Sequence, residues 1–235
     1  MIRTMNVIAA GFLATAALAT PRAVEAQEPR PGVAVLPFEN GGSYGKDREE
    51  FDALRRGLAG MLTFELGQHT AIRLVDRVEI QRLLDAQGLA VAERVDAATA
   101  AKIGKQAGAR FIIAGMFIDL YGDFRVDARI INVETGEILK VVRSDPKLRD
   151  RKDMSRIIQS VADRILEDTK LSALPAGSRP APAVVPADAI ALYSRALLFQ
   201  DRGDKAKALE YYRKALVVFP EYAAAAEGLR RLGEG

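Results

Sequence analysis

The sequence predicts an α/β domain, built on a mixed sheet with an antiparallel meander and flanking helices, followed by a small all-helical module. Three observations predict it. Short apolar runs alternate with helix-period segments through the first two thirds of the 235 residues. A β-rich stretch between 111 and 143 contains two turn signals. A segment rich in proline and alanine, 172–187, then separates this part from a tail whose apolar residues recur only at helical spacing.

Taken in order, residues 32–38 form an apolar, valine-rich run that suits a buried first strand. Residues 40–45 read as a glycine-rich turn. Phe51, Leu54, Leu58, Met61 and Leu62 recur at helical spacing and predict a long amphipathic helix over 46–68. Residues 72–75 are a second short strand. Helices follow over 78–87 and 97–106, with Asp96 placed to cap the second. The nearly unbroken apolar run 111–120 reads as a central strand, and Tyr121, Gly122 and Asp123 turn the chain. Phe124, Val126, Ala128 and Ile130 then alternate with Arg125, Asp127 and Arg129, so the returning strand packs one face and wets the other. Gly136 can take the positive φ of a hairpin loop, which places a third strand at 138–143. The charged run 147–153 reads as a solvated helix start, and 153–170 as a closing helix. Beyond the linker, helices are expected over 188–200, 205–219 and 221–232.

The N-terminus has the three parts of a secretory signal: Arg3, an apolar run over 7–19, and small residues ahead of Gln27. That run is ~13 residues, whereas a spanning helix needs ~20. Cleavage after Ala26 is therefore expected, along with a periplasmic location. The domain plan is a signal peptide over 1–26, an α/β domain over 31–171, a linker over 172–187 and a helical module over 188–232. The chain has no cysteine and one histidine, so neither disulfides nor a lipidated cysteine are expected, nor a metal site of His and Cys. The net charge of +3 is spread among interspersed signs, which argues against a nucleic-acid partner.

No catalytic constellation stands out. Gly41 to Lys46 imitates a phosphate loop, but it is one residue short between its glycines, and Asp47 replaces the hydroxyl that would reach magnesium. His69 reads as a surface residue at a helix C-terminus. Asp119, Asp123 and Asp127 match no calcium-loop spacing and read as solvated charge on one sheet face. No cofactor and no metal are expected.

Two resemblances rest on particular residues. Ala208, Tyr212, Ala215 and Pro220 match the small-aromatic-small-proline pattern of a tetratricopeptide repeat. Leu192, Ala196 and Phe199 sit where its first helix packs, and Arg195 departs from the usual leucine. The resemblance implies a groove for an envelope protein or peptide segment, lined by Ile190, Tyr193, Leu197 and Gln200. The alternative for the same residues is packing against 221–232 or the neighbouring domain, since a single repeat cannot bury its faces alone.

The N-terminal part resembles the curli-secretion (CsgG-like) family and its flagellar relative FlgO. The TolB N-terminal domain and the lipoprotein activators of penicillin-binding proteins are more distant kin in fold. The matching pieces are V-A-V-L-P-F at 33–38, Val75-Asp76-Arg77 with Ile80 and Leu83, the segments 101–109 and 112–115, and 129–138. This implies a CsgG/TolB-N-like fold and a non-catalytic role in binding partners or like subunits in the cell envelope. Curli channel subunits are lipidated and insert long membrane hairpins. The turn at 121–123 is short for that, and no cysteine is present, so a free periplasmic assembly factor is expected, peripheral to the outer membrane. The alternative reading is a subunit of a curli-type outer-membrane secretion channel.

Overall fold

Four apolar residues, Gly32–Val35 (β1), form the buried middle of the sheet. The computed structural model describes residues 30–42, 48–89, 94–169 and 183–234. The expected signal segment, most of the expected linker, and Ser43 to Asp47 of the phosphate-loop imitation lie outside these residues. The first strand is shorter than its apolar run. Pro37 has no N–H to give a ladder, and Leu36 and Phe38 instead donate to the carbonyls of Ile113 (2.9 Å) and Arg55 (3.1 Å). Glu39–Asn40 (β2) then re-enters the sheet. This corrects the turn expected to begin at Asn40, which stays extended because Gly41 donates to Phe117 across the strand (2.8 Å).

The long helix runs over Arg48–Gly67 (α1), followed by Arg73–Leu74 (β3), Arg77–Ala86 (α2) and Ala97–Gln106 (α3). Asp96 caps α3 as expected by accepting from the Thr99 N–H at 2.7 Å, and Asp76 caps α2 by accepting from the Val78 N–H at 2.7 Å. Phe111–Leu120 (β4), Asp123–Asn132 (β5) and Ile138–Arg143 (β6) form the expected meander. Its turns use positive φ at Tyr121 (52°), Gly122 (85°) and Gly136 (72°). The sheet order is β3-β1-β4-β5-β6, with β2 beside β4. β1 lies parallel to β3 and β4, and the meander is antiparallel, which makes a mixed sheet.

Both faces of the sheet are covered. On one, α1 and Met154–Asp168 (α4) enclose Leu58, Leu62, Phe117, Val126, Ile130 and Ile158. On the other, α2 and α3 enclose Ala34, Leu36, Ile80, Ile103, Ile112 and Ile131. The second face of β5 is therefore dry at Ile131 and wet only toward Arg125. The alternation of β5 marks one packing face, but it does not show that α3 covers the end of the other.

The charged run before α4 is only partly helical, with a single 3-10 turn at Arg151–Asp153. Asp119 is not the solvated charge expected of it. Its side chain is 11% exposed and lies 3.4 Å from Arg151, and burial raises its pKa despite that neighbour. His69 is also buried, because the chain turns sharply after α1 to reach β3 and carries the ring inward.

The C-terminal helices are Ala187–Asp201 (α5), Lys205–Val218 (α6) and Ala223–Glu234 (α7). They do not stand apart. Val185, Ala189, Ile190 and Tyr193 belong to the same buried cluster as α1 and α4.

Candidate binding cleft between the sheet domain and the repeat

Two glycines inside α1 position the site. A Cβ on Gly57 would meet Ser194 Oγ at 1.8 Å and Ser194 Cβ at 2.7 Å. One on Gly60 would meet Tyr193 Oη at 2.6 Å and Leu197 Cδ1 at 2.7 Å. Glycine costs helix stability, and here it lets α5 lie directly on the α1 backbone. Ser194 is fully buried at this crossing and donates its hydroxyl back to the Ile190 carbonyl at 2.7 Å, so its polar group is satisfied.

Charge fixes the same contact. Asp201 closes α5 with its carboxylate 5% exposed, accepting from Arg56 Nε at 2.9 Å and from Arg77. Arg56 also reaches Asp52 at 2.9 Å. Burial works against the Arg77 cation, but the charge and hydrogen bond of Asp201 outweigh it and hold its pKa above the usual value.

Beside this crossing lies a cleft of about 590 Å³, bounded by α1, the β3–α2 connection and the three C-terminal helices. Tyr193, Leu197 and Tyr212 line its aromatic and aliphatic part together with Phe64, Leu74 and Leu232. Tyr193 stacks at a tilt on Tyr212 and Tyr222, with centroids 6.0 and 5.1 Å apart. The Tyr212 hydroxyl donates to Gln200 Oε1 at 2.8 Å. Burial pushes the Tyr193 phenol up to about 12 and raises Tyr212 further, so both stay neutral near physiological pH. Arg231 spans the mouth, 3.4 Å from Asp76 and 2.7 Å from Glu227. Gln68 is exposed at the rim.

Of the four residues expected to line a groove, Tyr193, Leu197 and Gln200 line this cleft. Ile190 does not. It is fully buried in the shared core near the start of α5. The other walls come from Gly60, Phe64, Leu74 and Leu232, which no repeat pattern marks. The one sequence signal for them was the pair of glycines three apart inside a helix, which makes a flat spot on which another helix can sit. Among the described residues, no group of three or more His, Cys, Asp or Glu comes together as a metal site.

Fold and cleft together define a two-part chain, an α/β domain with a helical hairpin seated on its longest helix. The two parts have recognisable families. Residues 16–123 match the curli production assembly/transport component CsgG, and residues 189–222 match the tetratricopeptide repeat. The chain thus carries a CsgG-like domain followed by a single tetratricopeptide repeat. The CsgG match ends at the β4–β5 turn, whereas the sheet continues to Arg143.

A comparison with curated proteins finds no match. Similar solved structures include the LpoB C-terminal domain from Salmonella enterica, at 18% identity and a TM-score of 0.34, covering 48% of this chain and 80% of that one. TolB from Acinetobacter baumannii is similar at 14% identity and a TM-score of 0.40, over 60% of this chain and 29% of that one. Lipoprotein GNA1162 from Neisseria meningitidis is similar at 12% identity and a TM-score of 0.39, over 58% and 99%.

Proposed function

We propose that this chain is a non-catalytic interaction and assembly factor of the bacterial cell envelope, and that its cleft receives a peptide segment of an envelope partner. The carrying observation is the cleft of about 590 Å³, lined by Tyr193, Leu197 and Tyr212 from the repeat and by Phe64 and Leu74 from the α/β domain. Such a lining suits one aromatic or aliphatic side chain, whose burial contributes about 1.5–3 kcal/mol. The amides of Gln68 and Gln200 at its edges suit the peptide backbone. The CsgG-like domain and the repeat support an interaction role in the envelope. The signal-like N-terminus supports export to the periplasm, with the chain peripheral to the outer membrane. Among the described residues, no helix is long and apolar enough to cross a membrane.

The test begins with a photo-crosslinking residue in place of Gln68 in intact cells. The captured segment is then made as a synthetic peptide and titrated against the purified protein. Thr63→Trp fills the cleft, and it sacrifices only the bond from the Thr63 hydroxyl to the Ala59 carbonyl of its own helix. The expected outcome is at least about a tenfold loss of peptide affinity, equivalent to one lost anchor side chain, with little change in thermal midpoint. Equal binding by Thr63→Trp would place the peptide elsewhere.

A further inference from the structure

The outer surface of the repeat holds a second cluster, separate from the cleft. Phe199 on α5 and Tyr211 on α6 stack with centroids 5.3 Å apart and planes 9° from parallel. Four cations lie over this pair. Arg202 (5.9 Å) and Lys207 (5.0 Å) sit over Phe199, and Arg195 (6.0 Å) and Lys214 (5.0 Å) sit over Tyr211. Arg195 is the residue that departs from the repeat's usual leucine, and the stack gives that departure a place.

Helical spacing puts Lys207, Tyr211, Lys214 and Val218 on one stripe. Val217 and Val218 end it, 81% and 45% exposed. Lys205 and Arg213 stand exposed on the same helix. α6 therefore carries four cationic residues against one acid, Glu210, a surplus equal to the net charge of the whole chain.

We propose that this face docks on an anionic bilayer surface. Charge complementarity points to the phosphate layer, where each basic residue near the surface contributes about a fivefold gain in binding. The acids facing the cluster do not close it off. Asp204 lies 3.2 Å from Lys207, Glu210 2.6 Å from Lys214, and Asp52 3.7 Å from Arg202, but the three cations remain roughly half exposed. Exposed pairs of this kind are weak and exchange readily for lipid phosphate. The valines favour a bilayer over a soluble polyanion, which would leave them in water. A half-buried tyrosine beside lysines also suits the interfacial zone. The surface is a helix face with no groove of its own, which suits a plane better than an extended peptide.

The test is co-sedimentation of the purified full chain with vesicles of phosphatidylcholine, alone or with one third phosphatidylglycerol. Binding is expected to the anionic vesicles and to weaken as salt rises. The double variant Lys207→Ala/Lys214→Ala is expected to bind about 25-fold more weakly, and Val217→Ser about fivefold. Lys207→Gln/Lys214→Gln removes the same charge from the same face while keeping much of each aliphatic stem over its ring, and so supplies the charge readout should the first double variant misfold. Equal binding to neutral vesicles would overturn the proposal, as would anionic binding that neither double variant alters. Binding to soluble polyglutamate with none to vesicles would make the partner an acidic polypeptide, and would overturn it too.

Discussion

The seating of the repeat on α1 can be tested at Gly57, where two effects of one methyl group oppose each other. On a solvent-facing helix, Gly57→Ala stabilises by about 1 kcal/mol, because alanine gives up less backbone freedom. At the observed crossing the new Cβ would lie 1.8 Å from Ser194 Oγ, 2.7 Å from its Cβ and 3.2 Å from its Cα. The hydroxyl can rotate away, but Cβ and Cα move only if α5 moves. Overpacking of this kind costs about 1–3 kcal/mol, and two contacts below 3 Å place it toward the upper end. The net expectation is a loss of about 1–2 kcal/mol, or a fall of about 2–8 °C in thermal midpoint for a chain of this size. The assay is thermal and urea unfolding of the full chain. A double-mutant cycle with Ser194→Gly completes it, because removing the opposing Cβ should recover most of the loss. A midpoint that rises in Gly57→Ala, or a cycle with no coupling, would show that α5 does not sit on this part of α1.

Three further outcomes follow from the same structure. Asp201→Asn leaves the buried Arg56 and the largely buried Arg77 without their shared anion. It should cost about 3 kcal/mol in urea unfolding, since removing one member of a buried pair strands the others; a loss below about 1 kcal/mol would show the cluster to be solvated. Asp96 has its pKa lowered by the hydrogen bond from the Thr99 N–H, so its contribution is present above the unfolded value of about 3.9 and lost as pH falls through the folded one. Asp96→Asn keeps an acceptor that does not titrate, and its stability should decline less steeply than wild type below about pH 4 in acid unfolding curves. Tyr121 is fully exposed with φ at 52°, next to Gly122 at 85°. Tyr121→Asn suits that left-handed turn and should stabilise the chain by about 1 kcal/mol in thermal unfolding.

Local elements were legible because their causes are local. β4 and β6 occupy the residues their apolar runs predict, and α3 begins where Asp96 can cap it. The repeat was legible for a related reason, since Ala208, Tyr212 and Ala215 are all fully or nearly fully buried between its helices. Short-range signals misled where a distant residue intervened. Asn40 is extended because Phe117 is its neighbour in the sheet, and Asp119 is enclosed because Arg151 returns to meet it.

The site divides along the same line. The repeat resemblance named Ile190, Tyr193, Leu197 and Gln200 on α5 together, and three of them line the cleft while Ile190 is buried in the core. Sequence alone could not determine what that helix would meet. A single repeat leaves apolar surface that something must cover, and either a partner or the same chain could supply the cover. Tertiary structure decided for the same chain. Gly57 and Gly60 remove the side chains that would hold α5 away, and Asp201 reaches Arg56 and Arg77 across the contact. What remains of the repeat's groove is the cleft beside that crossing, walled by residues more than 120 positions apart in the sequence, such as Phe64 and Leu74 with Leu197. No local pattern encodes such a juxtaposition, because it exists only once the two helices have packed.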